Sequence, residues 1–171
     1  MKYLFSICLY ISIIVANQTI INSETRDEVY LYNKSWAVVI GINKYEKARE
    51  LNYAVQDANS IKSMLISDYQ FSDSNIKILT DNQATKEAIR ESINDVIEAA
   101  GKDDQVLIFF AGHGETLDLP EGGEMGYLIP VDGDPERLYL TALPMRELKD
   151  IASMTEAKHV LFLVDACYGG L

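Results

Sequence analysis

Cysteine is scarce in this chain of 171 residues, with only Cys8 and Cys167. Cys8 lies in an apolar leader, so one thiol is left once the leader is set aside, and an intramolecular disulfide framework is excluded. Histidine is as rare, with His113 and His159. Four prolines and ten glycines are too few for a fibrous or disordered chain. Positive charge is outnumbered, 15 Lys and Arg against 26 Asp and Glu, for a net charge of −11. That balance argues against nucleic-acid and anionic-membrane binding, because an acidic surface gains nothing from counterion release. No internal repeat, heptad run or low-complexity segment is present. What is there suits one globular domain: 48% apolar and 24% charged residues, enough to bury a core without staples.

The start of the chain differs in kind. Met1-Lys2 precedes an apolar run from Tyr3 to Ala16, the charge and length order of a secretory signal cleaved between Ala16 and Ser23. The run is short for a membrane span, and no stable span is expected; a signal anchor or a first buried strand is the alternative. We therefore divide the chain into a leader at 1–22, a polar linker or edge element at 23–35, and a domain at 36–171, and expect a secreted or periplasmic protein. Asn17-Gln18-Thr19 and Asn33-Lys34-Ser35 match the glycosylation sequon, which matters only in a host that glycosylates.

Within the domain, strand and helix patterns alternate. Trp36 to Ile42 reads as a first central strand and Ala54 to Asp68 as a helix with Ala54, Ala58, Ile61 and Leu65 on one face. Asn75 to Leu79 is a second strand. Thr85 caps a second helix reaching about Ala100, with Ile89, Ile93, Val96 and Ile97 at helical spacing and Gly101 as its stop. Val106 to Ala111 and Val160 to Val164 are apolar at nearly every position, as interior strands of a parallel sheet are when both faces are covered. A short apolar piece at Tyr127 to Ile129 and a helix from Met145 to Ser153 lie between them. The pattern predicts an α/β domain, its sheet mostly parallel with helices on both faces.

Each of the last two strands ends in chemistry. Gly112-His113-Gly114 follows the first, and Asp165-Ala166-Cys167-Tyr168-Gly169 follows the second. In open α/β sheets reactive groups collect at the carboxyl ends of the strands, so neighbouring strands would set His113 and Cys167 across one rim. A thiol is little ionised near neutrality and needs a base within reach to act as a nucleophile. His113 can be that base and later protonate a leaving amine, which points to a cysteine peptidase. Attack on a peptide carbonyl builds an oxyanion that two backbone N–H groups can stabilise. Glycines on both sides of His113 suit a close approach by substrate backbone. The plain alternatives are a buried small cysteine and a solvated histidine. His159, at the start of a strand, is a poor catalytic candidate.

Further segments lie in order around this pair: Gly41-Ile42-Asn43-Lys44-Tyr45, Gln56-Asp57-Ala58 and Tyr127-Leu128-Ile129-Pro130-Val131-Asp132. Together they resemble the caspase-like cysteine peptidases, in the metacaspase branch and its bacterial relatives, over Trp36 to the last residue. The sequence departs from the animal caspase signature, where Gln stands before Ala-Cys and this chain has Asp165. The resemblance implies a caspase-like three-layer sandwich, a His113 and Cys167 dyad, an oxyanion hole from the N–H groups of Gly114 and Cys167, and polypeptide substrates. It implies that Asp57 and Asp165 form a pocket for an Arg or Lys side chain. Two acids buried together repel unless a cation lies between them, and a guanidinium satisfies them well. Taken as ordinary residues, Asp57 would be a helix N-terminal acid favoured by the macrodipole and Asp165 a carboxylate accepting backbone N–H groups.

Metacaspases often require calcium, and here Asp132 and Asp134, with Asp118, Glu121 and Glu124, could offer oxygens. Where many relatives carry paired aspartates this chain reads Thr141-Ala142-Leu143. We read the stretch as a solvated acidic loop and assign no cofactor. Family members continue beyond the cysteine with a small-subunit region, whereas the sequence reads only to Leu171, so that region, or a partner chain, is expected to complete the cleft. The last strand would otherwise be a long apolar edge. Two other classes stay open: a non-catalytic caspase-like fragment or interaction module, inactive without the C-terminal region, and an unrelated α/β domain such as a receiver or phospholigand binder. The latter lacks a glycine-rich phosphate loop or an acid pair after its first strand.

Overall fold

A computed structural model of the chain describes residues 19–21 and 28–168, with side chains described from 30 to 166. Most of the leader lies outside the described residues. Its Thr19–Ile21 (β1) pairs antiparallel with Glu28–Tyr30 (β2), so part of the segment read as linker or edge element is a strand. Residues 31–34 are tied to the domain: the Leu31 carbonyl accepts from Lys158 Nζ at 3.1 Å, Asn33 N–H donates to the Asp103 carbonyl at 2.8 Å, and Lys34 N–H donates to Asp104 Oδ1 at 2.9 Å.

The main sheet begins at Ser35–Gly41 (β3), whose residues are buried on both faces apart from the half-buried Trp36. It pairs in parallel with Ile76–Thr80 (β4) on one side and with Gln105–Asp118 (β5) on the other. Helix Ala54–Ser67 (α1) joins β3 to β4, and helix Lys86–Ala99 (α2) joins β4 to β5. Thr85 caps α2, its hydroxyl oxygen accepting from Ala88 N–H at 3.1 Å.

Strand alternation sends Val38, Ile40, Val106, Ile108 and Phe110 into a core with Ile89, Ile93, Val96 and Ile97 of α2. The opposite face packs Ala37, Val39, Phe109 and Ala111 against Ala54, Ala58 and Leu65 of α1. Gly41 is required by that second contact: a Cβ there would stand 2.4 Å from the Ala54 carbonyl oxygen and 2.6 Å from Ala58 Cβ.

Beyond residue 114, β5 runs on into an antiparallel hairpin with Glu124–Leu128 (β6). Leu138–Thr141 (α3) leads to Leu143–Pro144 (β7), which pairs with β6, and Met145–Met154 (α4) adds Leu148 and Ile151 to the first core. The last strand, His159–Tyr168 (β8), pairs in parallel with β5 from Gln105 to Gly114. The sheet is mostly parallel with helices on both faces, as expected, and the antiparallel β6 and β7 extend it.

One expectation is corrected. Val160 to Val164 has the composition of a strand covered on both sides, yet among the described residues β8 has only β5 as a neighbour and only one covered face. Val160, Phe162, Val164 and Ala166 pack on the first core, whereas Leu161 and Leu163 are 51% and 38% exposed. The α1 helix packs against β3, β4 and β5, which accounts for the difference between the two faces.

Candidate active site

The carboxyl ends of β5 and β8 lie side by side. Within their ladder Ala111 is opposite Asp165, Gly112 opposite Ala166, His113 opposite Cys167 and Gly114 opposite Tyr168. Neighbouring strands are about 4.8 Å apart, so the histidine and cysteine backbones are as close as two chain segments come in a sheet. The Cys167 side chain lies outside the described residues.

His113 is 6% exposed and held at three atoms. Its N–H donates to the Tyr45 hydroxyl at 2.8 Å, its carbonyl accepts from Ile129 N–H at 3.0 Å, and its ring Nε2 is 2.7 Å from the Arg49 carbonyl oxygen. A carbonyl oxygen only accepts, so Nε2 carries the proton and Nδ1 is the nitrogen with a free lone pair in the neutral ring. The Tyr45 ring lies against the imidazole, centroids 4.8 Å apart at 46°.

Tyr45 and the Arg49 carbonyl had no role in the reading of the sequence, although the Gly41 to Tyr45 segment stood out as a motif. The available signal was Gly112. We read that glycine as room for substrate backbone; a Cβ there would also stand 2.5 Å from the Tyr45 hydroxyl oxygen, a group of the same chain. Burial pushes the Tyr45 hydroxyl well above the usual tyrosine range; the bond from His113 N–H opposes this and the Asp81 charge adds to it.

The other expected residues are dispersed around the rim. Gly114 is buried where the two ladders meet, opposite Leu128 in one and Tyr168 in the other. Asp57 is half-buried in the first turn of α1, its N–H donating to the Tyr53 carbonyl at 2.9 Å. Asp165 is exposed at the end of β8. The two carboxylates are thus not a buried pair in this structure.

Two of the acids considered for calcium, Asp132 and Asp134, accept from donors of the protein itself. Asp132 Oδ1 accepts from Lys86 N–H at 2.9 Å. Asp134 accepts from Lys47 Nζ and from Glu136 N–H, each at 3.0 Å, and the Lys47 ammonium holds its carboxyl below the usual range. Asp118, Glu121 and Glu124 are exposed on the β5–β6 hairpin. Among the described residues no three His, Cys, Asp or Glu side chains gather to hold a metal. Nor is any helix among the described residues long and apolar enough to cross a membrane.

The pattern of the caspase domain family matches residues 34–171. The chain belongs to the caspase domain family. This caspase domain is 32% identical over 146 residues to Metacaspase-1 of Eremothecium gossypii, covering 78% of this chain and 31% of that protein. It is 27% identical over 145 residues to Metacaspase-6 of Arabidopsis thaliana, covering 78% and 38%. The chain thus spans roughly a third of the length of these relatives. Among solved structures it is similar to protein GSU0716 from Geobacter sulfurreducens, with a TM-score of 0.66 and 22% identity over 81% of this chain and 52% of that one. That likeness shows a shared fold, and the caspase-like sandwich follows from the family match.

Proposed function

We propose that this caspase domain carries cysteine endopeptidase chemistry, with His113 as base and Cys167 as nucleophile. The observation that carries the reading is the shared rung of His113 and Cys167, taken with the Nε2–H bond that leaves His113 Nδ1 as the basic nitrogen. In the proposed reaction Nδ1 takes the thiol proton and the thiolate sulfur attacks the scissile carbonyl carbon. The backbone N–H groups of Gly114 and Cys167 receive the developing oxyanion. The imidazolium returns its proton to the leaving amine as the C–N bond breaks, and water, deprotonated by the same imidazole, then cleaves the thioester. The Arg49 carbonyl orients the ring as an acceptor beyond the base, the role a third group plays in other nucleophile and base pairs.

Cleavage after Arg or Lys belongs to the same proposal. It is supported by Asp165, two residues before the proposed nucleophile and exposed at the rim, and by Asp57 at the start of α1. Polypeptide substrates follow from this reading. A covering segment, a small-subunit region in the same polypeptide or on a partner chain, is also part of it, supported by the exposed Leu161 and Leu163. Export rests on the leader sequence alone, and the amino terminus of the mature protein would test it.

The deciding experiment is covalent capture. A peptidyl electrophile ending in Arg is expected to label the protein at Cys167, with labelling lost in Cys167→Ala and slowed in His113→Ala. Labelling elsewhere, or equal labelling by a probe ending in Asp, overturns the proposal.

A further inference from the structure

We propose that Tyr45 is a positioning residue for His113, setting both the backbone and the ring of the proposed base; this rests on the peptidase reading above. The loop between Gly41 and Ala54 touches His113 three times: by the Tyr45 hydroxyl on its N–H, by the Tyr45 ring on its imidazole, and by the Arg49 carbonyl on Nε2. A ring nitrogen aimed by a loop is only as well placed as the loop is fixed.

That loop is fixed from several sides. Ile42 N–H donates to the Ala111 carbonyl at 3.1 Å, Glu46 N–H to the Val131 carbonyl at 3.0 Å, and Leu51 N–H to the Asn43 carbonyl at 2.8 Å. Asp81 Oδ1 accepts from both Asn43 N–H and Lys44 N–H, at 2.8 and 3.0 Å. Asp81 has a φ of 45°, a left-handed conformation that is uncommon for a residue with a side chain. The turn holds it there while its carboxylate clamps the two residues before Tyr45.

Gly112 completes the arrangement, because any Cβ would displace the hydroxyl from the His113 amide. Three separated stretches of sequence thus converge on one bond to the base. A hydroxyl serving only to satisfy a buried N–H would matter for folding; a positioning hydroxyl matters for turnover, since small misplacement of a reacting group lowers the rate of the chemical step.

The test uses the full chain carrying Tyr45→Phe, which keeps the ring and removes the hydroxyl, and separately Gly112→Ala, which reaches the same bond from the other side. With an Arg peptide, kcat is expected to fall about tenfold or more with KM within about twofold of the parent. In proton NMR, with His159→Gln removing the other histidine, the His113 Nε2–H resonance is expected to be sharp in the parent and broadened in both variants as the ring loses its fixed bond to the Arg49 carbonyl. Unchanged kcat, or lost activity with an unchanged resonance, overturns the proposal. If the parent hydrolyses nothing even with its covering segment supplied, the peptidase reading falls, and the resonance alone decides: broadening in both variants supports Tyr45 as the group that sets the His113 ring, and an unchanged resonance overturns it.

Discussion

His113 and Cys167 stand on the same rung of the parallel ladder between β5 and β8, separated by 53 intervening residues of chain yet adjacent across the sheet. The ladder achieves this by holding ten consecutive residue pairs in register, from Gln105 and His159 to Gly114 and Tyr168. A slip of one residue would turn the side chains of β8 to opposite faces. Val160, Phe162 and Val164 on the first core oppose such a slip.

If this rung is the catalytic one, Cys167→Ala removes the nucleophile and abolishes peptide hydrolysis. His113→Ala lowers kcat by about 10²–10⁴, the usual contribution of a positioned acid and base. Steady-state kinetics on an Arg peptide check both, and undiminished turnover in Cys167→Ala would sink the mechanism.

Asp165→Ala is expected to erase the preference for Arg or Lys, raising KM for basic peptides more than it lowers kcat, as loss of ground-state binding does. Asp57→Ala is expected to act in the same direction and more weakly, because Asp57 also serves the positive end of α1. A library profile showing cleavage after acidic residues contradicts the assignment.

Asp104 is a structural acid. It is 6% exposed and accepts from Lys34 N–H at 2.9 Å, Trp36 Nε1 at 3.0 Å and Gly101 N–H at 2.9 Å. Asp104→Ala leaves these donors without their acceptor and is expected to cost about 3 kcal/mol. Urea unfolding followed by fluorescence of Trp36, the single tryptophan, measures it; a loss below about 0.5 kcal/mol would be too small for a buried three-donor acceptor.

Tyr45 also gives a pH signature. Its hydroxyl is raised above the usual value near 10, chiefly by burial. A raised value means that the folded state keeps a proton the unfolded state releases. The corresponding stability is fully present below about pH 10 and is lost as pH rises from there toward the folded-state value. Tyr45→Phe is therefore expected to flatten the fall of the thermal midpoint between about pH 10 and 11.5, and an identical fall in both proteins rules this account out.

Much of the fold was legible in the order of residue types. Near-continuous apolar runs at Val38 to Ile42 and Val106 to Ala111 specify strands buried on both faces, and Thr85 followed by Ile89, Ile93 and Val96 specifies a capped amphipathic helix. Both are local patterns, visible within a dozen residues. The glycine, histidine and cysteine segments could likewise be placed at strand ends, because a strand's length limits where its chemistry emerges.

What tertiary structure alone decided is the set of partners. Composition made Val160 to Val164 look covered on both sides, but periodicity reports only that a position is apolar and not what lies over it; Leu161 and Leu163 are exposed because α1 packs against the other three parallel strands. Asp132 and Asp134 read as part of a solvated acidic loop, and only the fold brought Lys86 N–H and Lys47 Nζ to them. The Tyr45 hydroxyl fills the space Gly112 leaves beside His113 across 68 residues of sequence. A hydrogen bond between distant segments leaves no local periodicity, so the sequence by itself determined the elements and the reactive residue types, and the folded chain determined which of them meet.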